Sequence, residues 1–159
     1  TFSIYLPASS RPVEAQAASV RTIAKGQGRL LLVDDEEMIL DVGAAMLKKL
    51  GYSVQTAGSG EAALQFYQAH GDTIDLVILD MVMPGMSGGE VFDRLKAIDP
   101  AVKVLLSSGY SVDGQAIELL EAGCDGFMQK PFTMDGLALK VREALDAFSA
   151  QPDSLEPGT

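Results

Sequence analysis

The sequence predicts an α/β domain in which one parallel sheet carries helices on both faces. Three observations lead there. From Arg29 onward, short apolar runs alternate with longer amphipathic stretches five times over. Two of the runs, Arg29-Leu30-Leu31-Leu32-Val33 and Leu76-Val77-Ile78-Leu79, are too uniformly apolar for a sheet with one wet face and read as strands buried on both sides. The links are short, and short links between alternating elements favour parallel strands joined by crossover helices.

The elements follow in order. The first strand is read at 29–33. The helix after it, 36–50, carries Ile39, Val42, Met46 and Leu50 at helical spacing, with Gly51 as its left-handed stop. A second strand, 53–57, leads through Gly58-Ser59-Gly60 into a helix at 60–70. That glycine pair reads as a loop and cap, since no Gly-Lys-Ser/Thr sequence makes it a nucleotide loop. His70 closes the helix beside Gly71-Asp72 and reads as a cation at a helix C-terminus. The third strand, 75–79, is followed by a turn at Pro84 and a helix at 87–98 that begins near Gly88. The fourth strand is placed at 102–107 with a helix at 113–122. The fifth is at 126–129, and its helix, 133–149, aligns Leu137, Val141, Leu145 and Phe148 on one face.

Outside 29–149 the pattern stops. Thr1 to Pro7 alternates like a strand, with Phe2, Ile4 and Leu6 on one face and no partner nearby in sequence. Residues 8–28, rich in Ala, Ser, Gln and Gly, read as a linker. Residues 150–159, with two prolines and a glycine, read as a disordered tail. A chain that begins at Thr1 rather than Met reads as a piece of a longer protein.

Composition bounds the function. A length of 159 residues suits one domain with a core and some tail. The net charge of −10 argues against nucleic-acid binding, which needs clustered Lys and Arg against phosphates. A lone Cys124 excludes an internal disulfide and fits a reducing, cytoplasmic setting. No apolar run approaches the ~20 residues that span a bilayer, so no membrane contact is expected of this stretch. With no basic segment followed by an apolar one ahead of it, Ala15-Gln16-Ala17 is not expected to be a signal cleavage site.

The chemistry lies at the strand ends. Asp34 and Asp35 follow the first strand, Asp80 the third, Ser107-Ser108-Gly109 the fourth and Lys130 the fifth. In open α/β sheets such positions converge on one edge. Each has a plainer reading alone: the acidic pair as a helix N-cap, Asp80 as a cap or turn residue, Lys130 as a solvated strand-end lysine. Together they describe a hard-cation site, suited to magnesium, with an ammonium built in.

The motifs Val33-Asp34-Asp35-Glu36, Leu79-Asp80-Met81-Val82-Met83-Pro84-Gly85-Met86-Ser87-Gly88, Leu106-Ser107-Ser108-Gly109 and Lys130-Pro131-Phe132 resemble those of the response-regulator receiver domains of two-component signalling. The resemblance covers 29–149. It implies a flavodoxin-like (βα)5 fold, a doubly wound parallel sheet of strand order 2-1-3-4-5. It also implies a phosphoacceptor module that takes a phosphoryl group from a histidine kinase onto Asp80 and catalyses its own phosphorylation and dephosphorylation. Magnesium would be held by Asp35, Asp80 and the backbone carbonyl of Val82, with Asp34 acting mainly through metal-bound water. Lys130 would pair with Asp80 and then with a phosphoryl oxygen. Ser108 takes the family's hydroxyl position and Phe127 its aromatic switch position. Ser107 reads as facing the core or solvent, and Phe127 also reads as ordinary core packing. Pro131 matches a proline preceded by a cis bond. Val82 and Tyr110, each two residues past a site residue, flank the path of hydrolytic water and would tune its attack.

Thr1 to Pro7 resembles the closing strand of a histidine-kinase ATPase domain, which makes the chain the C-terminal receiver of a hybrid sensor kinase. The expected partners are that kinase core and a histidine phosphotransfer protein. A stand-alone single-domain response regulator is the alternative. A receiver-like interaction domain that has lost phosphorylation is disfavoured because every expected site residue is present. A metal-dependent phosphatase using Asp80 as nucleophile is disfavoured by Val82, which stands where haloacid-dehalogenase-type phosphatases need a second acid.

Overall fold

A computed structural model describes residues 26–109 and 114–147. The strand read at 1–7, the linker through residue 25, Tyr110, Phe148 and the tail at 150–159 lie outside the described residues. The elements are β1 (Arg29–Val33), α1 (Glu37–Lys49), β2 (Ser53–Ala57), α2 (Gly60–His70), β3 (Leu76–Asp80), α3 (Gly88–Ile98), β4 (Val104–Ser108), α4 (Gly114–Glu121), β5 (Gly126–Gln129) and α5 (Met134–Asp146). A short 3-10 turn, Gly71–Thr73, joins α2 to β3. All strand pairs are parallel and the order is β2-β1-β3-β4-β5.

Alternation of side chains across the sheet explains the uniformly apolar strands. Leu31, Val33, Val77, Leu79, Val104 and Leu106 pack on one face with Leu64 and Tyr67 of α2 and Val91, Phe92 and Leu95 of α3. Leu30, Leu32, Leu76, Ile78, Leu105 and Met128 fill the other face with Leu47 of α1 and Leu137, Val141 and Ala144 of α5. Each fully buried Leu or Ile contributes about 2 kcal/mol of transfer free energy. At the far edge of the sheet, carboxylates satisfy the opening strand amides. Asp75 Oδ2 accepts from the Arg29 N–H at 2.7 Å, and Asp125 Oδ2 from the Val104 N–H at 2.7 Å.

Several sequence readings are corrected in detail. Asp80 and Ser108 are the last residues of their strands rather than the first beyond them, and β4 starts at Val104 rather than 102. Burial on both faces holds for β1, β3 and β4. β5 is an edge strand whose Gly126 and Phe127 are half-buried and whose Gln129 is exposed. In α1 the buried stripe is Gly43, Ala44 and Leu47, while Val42 is 50% exposed. The helix lies so close to the sheet that a Cβ at Gly43 would stand 2.8 Å from Leu32 Cδ2, so small residues line the contact.

Candidate acidic site at the carboxyl edge of the sheet

The register assembles the site. β3 pairs with β4 so that Asp80 lies opposite Ser107, and β4 with β5 so that Ser108 lies opposite Gln129, one residue before Lys130. β1 ends at Val33 opposite Leu79, which brings Asp34 beside Asp80. One carboxylate oxygen from each of Asp34, Asp35 and Asp80 lies within 4.8 Å of the other two. Asp34 and Asp80 are buried, at 1% and 3% exposure, whereas Asp35 is exposed.

The Lys130 ammonium forms an ion pair with Asp34 Oδ2 and a second, at 3.1 Å, with Asp80 Oδ1. The other Asp34 oxygen, Oδ1, accepts from the Glu36 N–H at 2.9 Å. Glu36 is the N-cap of α1 and offers no side-chain cap, so the acidic pair is not acting as the cap of that helix. Burial pushes the Asp80 carboxyl above the usual carboxylate range. Lys130 and a backbone hydrogen bond from Val82 pull it down, and the Asp34 charge adds to the rise. Burial alone would lower the Lys130 ammonium, but its hydrogen bonds to Asp34 and Asp80 outweigh that and hold it above the ordinary lysine value.

The loop after β3 is fixed by α3. Ser87 caps that helix in a reciprocal capping box with Glu90, whose carboxylate accepts the Ser87 N–H at 2.9 Å. Gly88 permits the approach, because a Cβ there would sit 2.4 Å from the Asp80 carbonyl oxygen. Met81, Met83 and Met86 turn inward to the core while Val82, between them, is 62% exposed. Ser107 and Ser108 are both buried. By register and alternation Ser108 shares a face with Leu106 and Phe127, and Phe127 packs half-buried on the same cluster. The Lys130–Pro131 peptide is cis. Gly109 has open space around its Cβ position. His70 is exposed, its ring 4.9 Å from that of Phe66 and away from the acidic cluster. Ser59 caps α2, accepting from the Ala62 N–H at 3.1 Å.

The pairing of Lys130 with Asp34 was missing from the sequence reading, which gave the lysine to Asp80 alone. A signal for it existed. Extending the strand alternation by one residue puts Asp34 with Leu30 and Leu32, and Asp80 with Leu76 and Ile78, on the face that also takes Met128 and, two further on, Lys130.

Three clustered carboxylates are an all-oxygen donor set, and hard oxygen donors fit magnesium. No helix among the described residues is long and apolar enough to cross a membrane. A five-stranded doubly wound sheet with a buried aspartate, an acidic pair and a lysine at its carboxyl edge defines a flavodoxin-like domain with an acid pocket at the switch-point edge. The family model of the response regulator receiver domain matches residues 30–142, and the chain belongs to that family, the receivers of two-component signalling.

The sensor kinase CckA of Brucella abortus is 36% identical over 155 residues, covering 92% of this chain and 16% of the kinase. A receiver domain protein from Clostridium thermocellum superposes with a TM-score of 0.73 at 30% identity, covering 77% of this chain and 97% of that one. The response regulator TrrA of Thermotoga maritima, solved in complex with Mg(2+)-BeF, has a TM-score of 0.67 at 36% identity, covering 74% and 99% of the two chains. The chain spans 16%, 30% and 49% of three curated relatives, so each carries further domains or segments.

Proposed function

We propose that this receiver takes a phosphoryl group onto Asp80 from a phosphohistidine. The observation that carries the reading is Lys130 Nζ at 3.1 Å from Asp80 Oδ1, inside a cluster of three carboxylates. An Asp80 oxygen forms the new P–O bond as the P–N bond to the donor imidazole breaks, and the departing imidazole takes a proton from solvent. Asp35, Asp80 and the Val82 backbone carbonyl would hold magnesium, which when bound supplies positive charge against the repulsion between carboxylate and phosphoryl group. Lys130 neutralises charge developing on a phosphoryl oxygen, and the Ser108 hydroxyl donates to another. Beryllofluoride or a small phosphodonor with magnesium is expected to load the wild type and not Asp80→Asn. Equal loading in the presence of a chelator, or loading of the variant, would sink the assignment.

The finer context is that of a receiver in a hybrid sensor kinase in the cytoplasm, exchanging its phosphoryl group with the parent kinase core or a histidine phosphotransfer protein. The similarity to CckA over 92% of this chain supports it, as does the kinase-like segment Thr1 to Pro7. Reading the gene upstream of Thr1 is the test. An ATP-binding kinase domain there supports the hybrid, and a start codon close upstream supports a stand-alone regulator.

A further inference from the structure

We propose that the segment Val20 to Lys25, upstream of the described domain, docks on the exposed face of α1 and covers Met38 and Val42. The inference stands apart from the phosphoacceptor reading.

That face is apolar in one row and acidic in the next. Met38 is 75% exposed and Val42 50%, and Ala45 is exposed as well. Their spacing sets the three in a single stripe along the helix. The stripe points away from the core, because Gly43, Ala44 and Leu47 are the residues that α1 buries. Glu37 and Asp41, both exposed, run beside it, and among the described residues they make no ion pair. An occupant of this face needs apolar side chains and a positive charge. The stripe begins in the turn after Asp35, so a segment lying on it borders the acid pocket.

The chain itself arrives at the foot of the same helix. The Gly26 N–H donates to the carbonyl of Leu50, the C-cap of α1, at 2.8 Å, and the Ser53 N–H donates to the Gly28 carbonyl at 2.9 Å. A Cβ at Gly26 would stand 2.1 Å from Tyr52 Cζ, so the backbone there lies directly on the ring. The residues before Gly26 therefore start at the C-terminal end of α1. Six residues at full extension span about 20 Å, and a helix of 13 residues measures about the same. Val20 and Ile23 thus reach Val42 and Met38.

Charge favours the match. Residues 1–25 carry Arg11, Arg21 and Lys25 against one acid, Glu14, in a chain of net charge −10. Lys48 and Lys49 occupy the last turn of α1, nearest Gly26, and oppose Lys25, so Arg21 is the charge that counts. Five residues before Gly26, it can come level with Asp41 and Glu37. Docking of a tethered segment proceeds at an effective concentration on the order of millimolar, so a contact too weak to hold a free peptide is populated here. The neighbouring helix α5 offers less. Leu139 is its one large exposed apolar side chain, and its Lys140 already pairs with Glu143 at 2.9 Å.

The test is methyl NMR on the intact 159-residue chain, with the Met38 ε-methyl and the Val42 γ-methyls as reporters. The wild type is expected to show cross-relaxation from the Val20 or Ile23 methyls to those groups. A Val20→Ser, Ile23→Ser double variant is expected to lose it and to shift the Met38 and Val42 signals. The signals of Val82 and Leu139, exposed elsewhere on the domain, should stay in place. Arg21→Glu should weaken the contact, and Asp41→Arg should restore it in that background. No methyl contact between the segment and α1, or Met38 and Val42 signals indifferent to the double variant, would overturn the proposal. Contacts that appear only between a labelled and an unlabelled copy would overturn it too, by putting a second copy on the face.

Discussion

Lys130 Nζ stands 3.1 Å from Asp80 Oδ1 while also paired with Asp34, so a single ammonium is set against two carboxylates that are almost fully buried. The surplus of negative charge has a consequence for stability. Burial raises the folded pKa of Asp80 above its unfolded value. Between those two values the folded state binds more protons, so stability falls as pH rises through that window and stays lower at neutral pH. Asp80→Asn is therefore expected to stabilise the metal-free domain at pH 7 by about 1 kcal/mol. The gain should vanish below about pH 4, where the carboxyl is protonated in both states. Lys130→Ala should do the opposite, costing about 3 kcal/mol by stranding two buried anions, with magnesium recovering part. Urea denaturation in EDTA checks both signs, and a destabilised Asp80→Asn refutes the charge argument.

The exposure of the acidic pair also ranks its members toward metal. Asp35 faces solvent while Asp34 is committed to Glu36 and Lys130. Asp35→Ala is expected to weaken magnesium binding by at least about tenfold, more than Asp34→Ala does. Calorimetry suits the measurement, since the chain has no tryptophan to report binding by fluorescence. The reverse ranking would exchange the two roles.

Ser108 and Phe127 lie on one face of neighbouring strands, linked by the register that sets Leu106 opposite Phe127. A hydroxyl drawn toward a phosphoryl group moves the end of β4, and the half-buried ring beside it must repack. Beryllofluoride is expected to shift the NMR signals of Phe127 and α4 along with those of the Asp80 loop. Ser108→Ala should confine the shifts to the loop. Changes around Asp80 alone in the wild type would show that this coupling is absent.

The lifetime of the acyl phosphate is set by access of water in line with the P–O bond. Val82 is 62% exposed, two residues after Asp80, and has no group that orients water. Tyr110, two residues after Ser108 in sequence, has an aromatic ring in place of an acid or amide that could orient water. Slow intrinsic loss is expected, with Val82→Asn or Tyr110→Glu raising the hydrolysis rate by about tenfold. Decay of phosphorylated protein, followed by intact mass, is the measurement. Unchanged rates in both variants would remove the steric and water-orientation argument.

The chain alone determined the architecture. Uniform burial on both faces forces uniformly apolar strands, and Leu30 to Val33 and Leu76 to Leu79 carry that in their composition. Glycine at the end of α1 and short links punctuate the elements, so their order and most boundaries were legible. Clustering of Asp34, Asp35, Asp80 and Lys130 followed because parallel strands deliver their ends to one edge. Only the tertiary structure decided which apolar residues α1 buries. Close approach favours Gly43 and Ala44 over the larger Val42, a matter of distance between elements that periodicity does not contain. Only it decided that Asp34, and not its neighbour, faces Lys130 from 96 positions away. Residue types establish that opposite charges meet at the edge, while partner choice depends on strand alternation, register and the backbone amide that fixes one carboxylate in place.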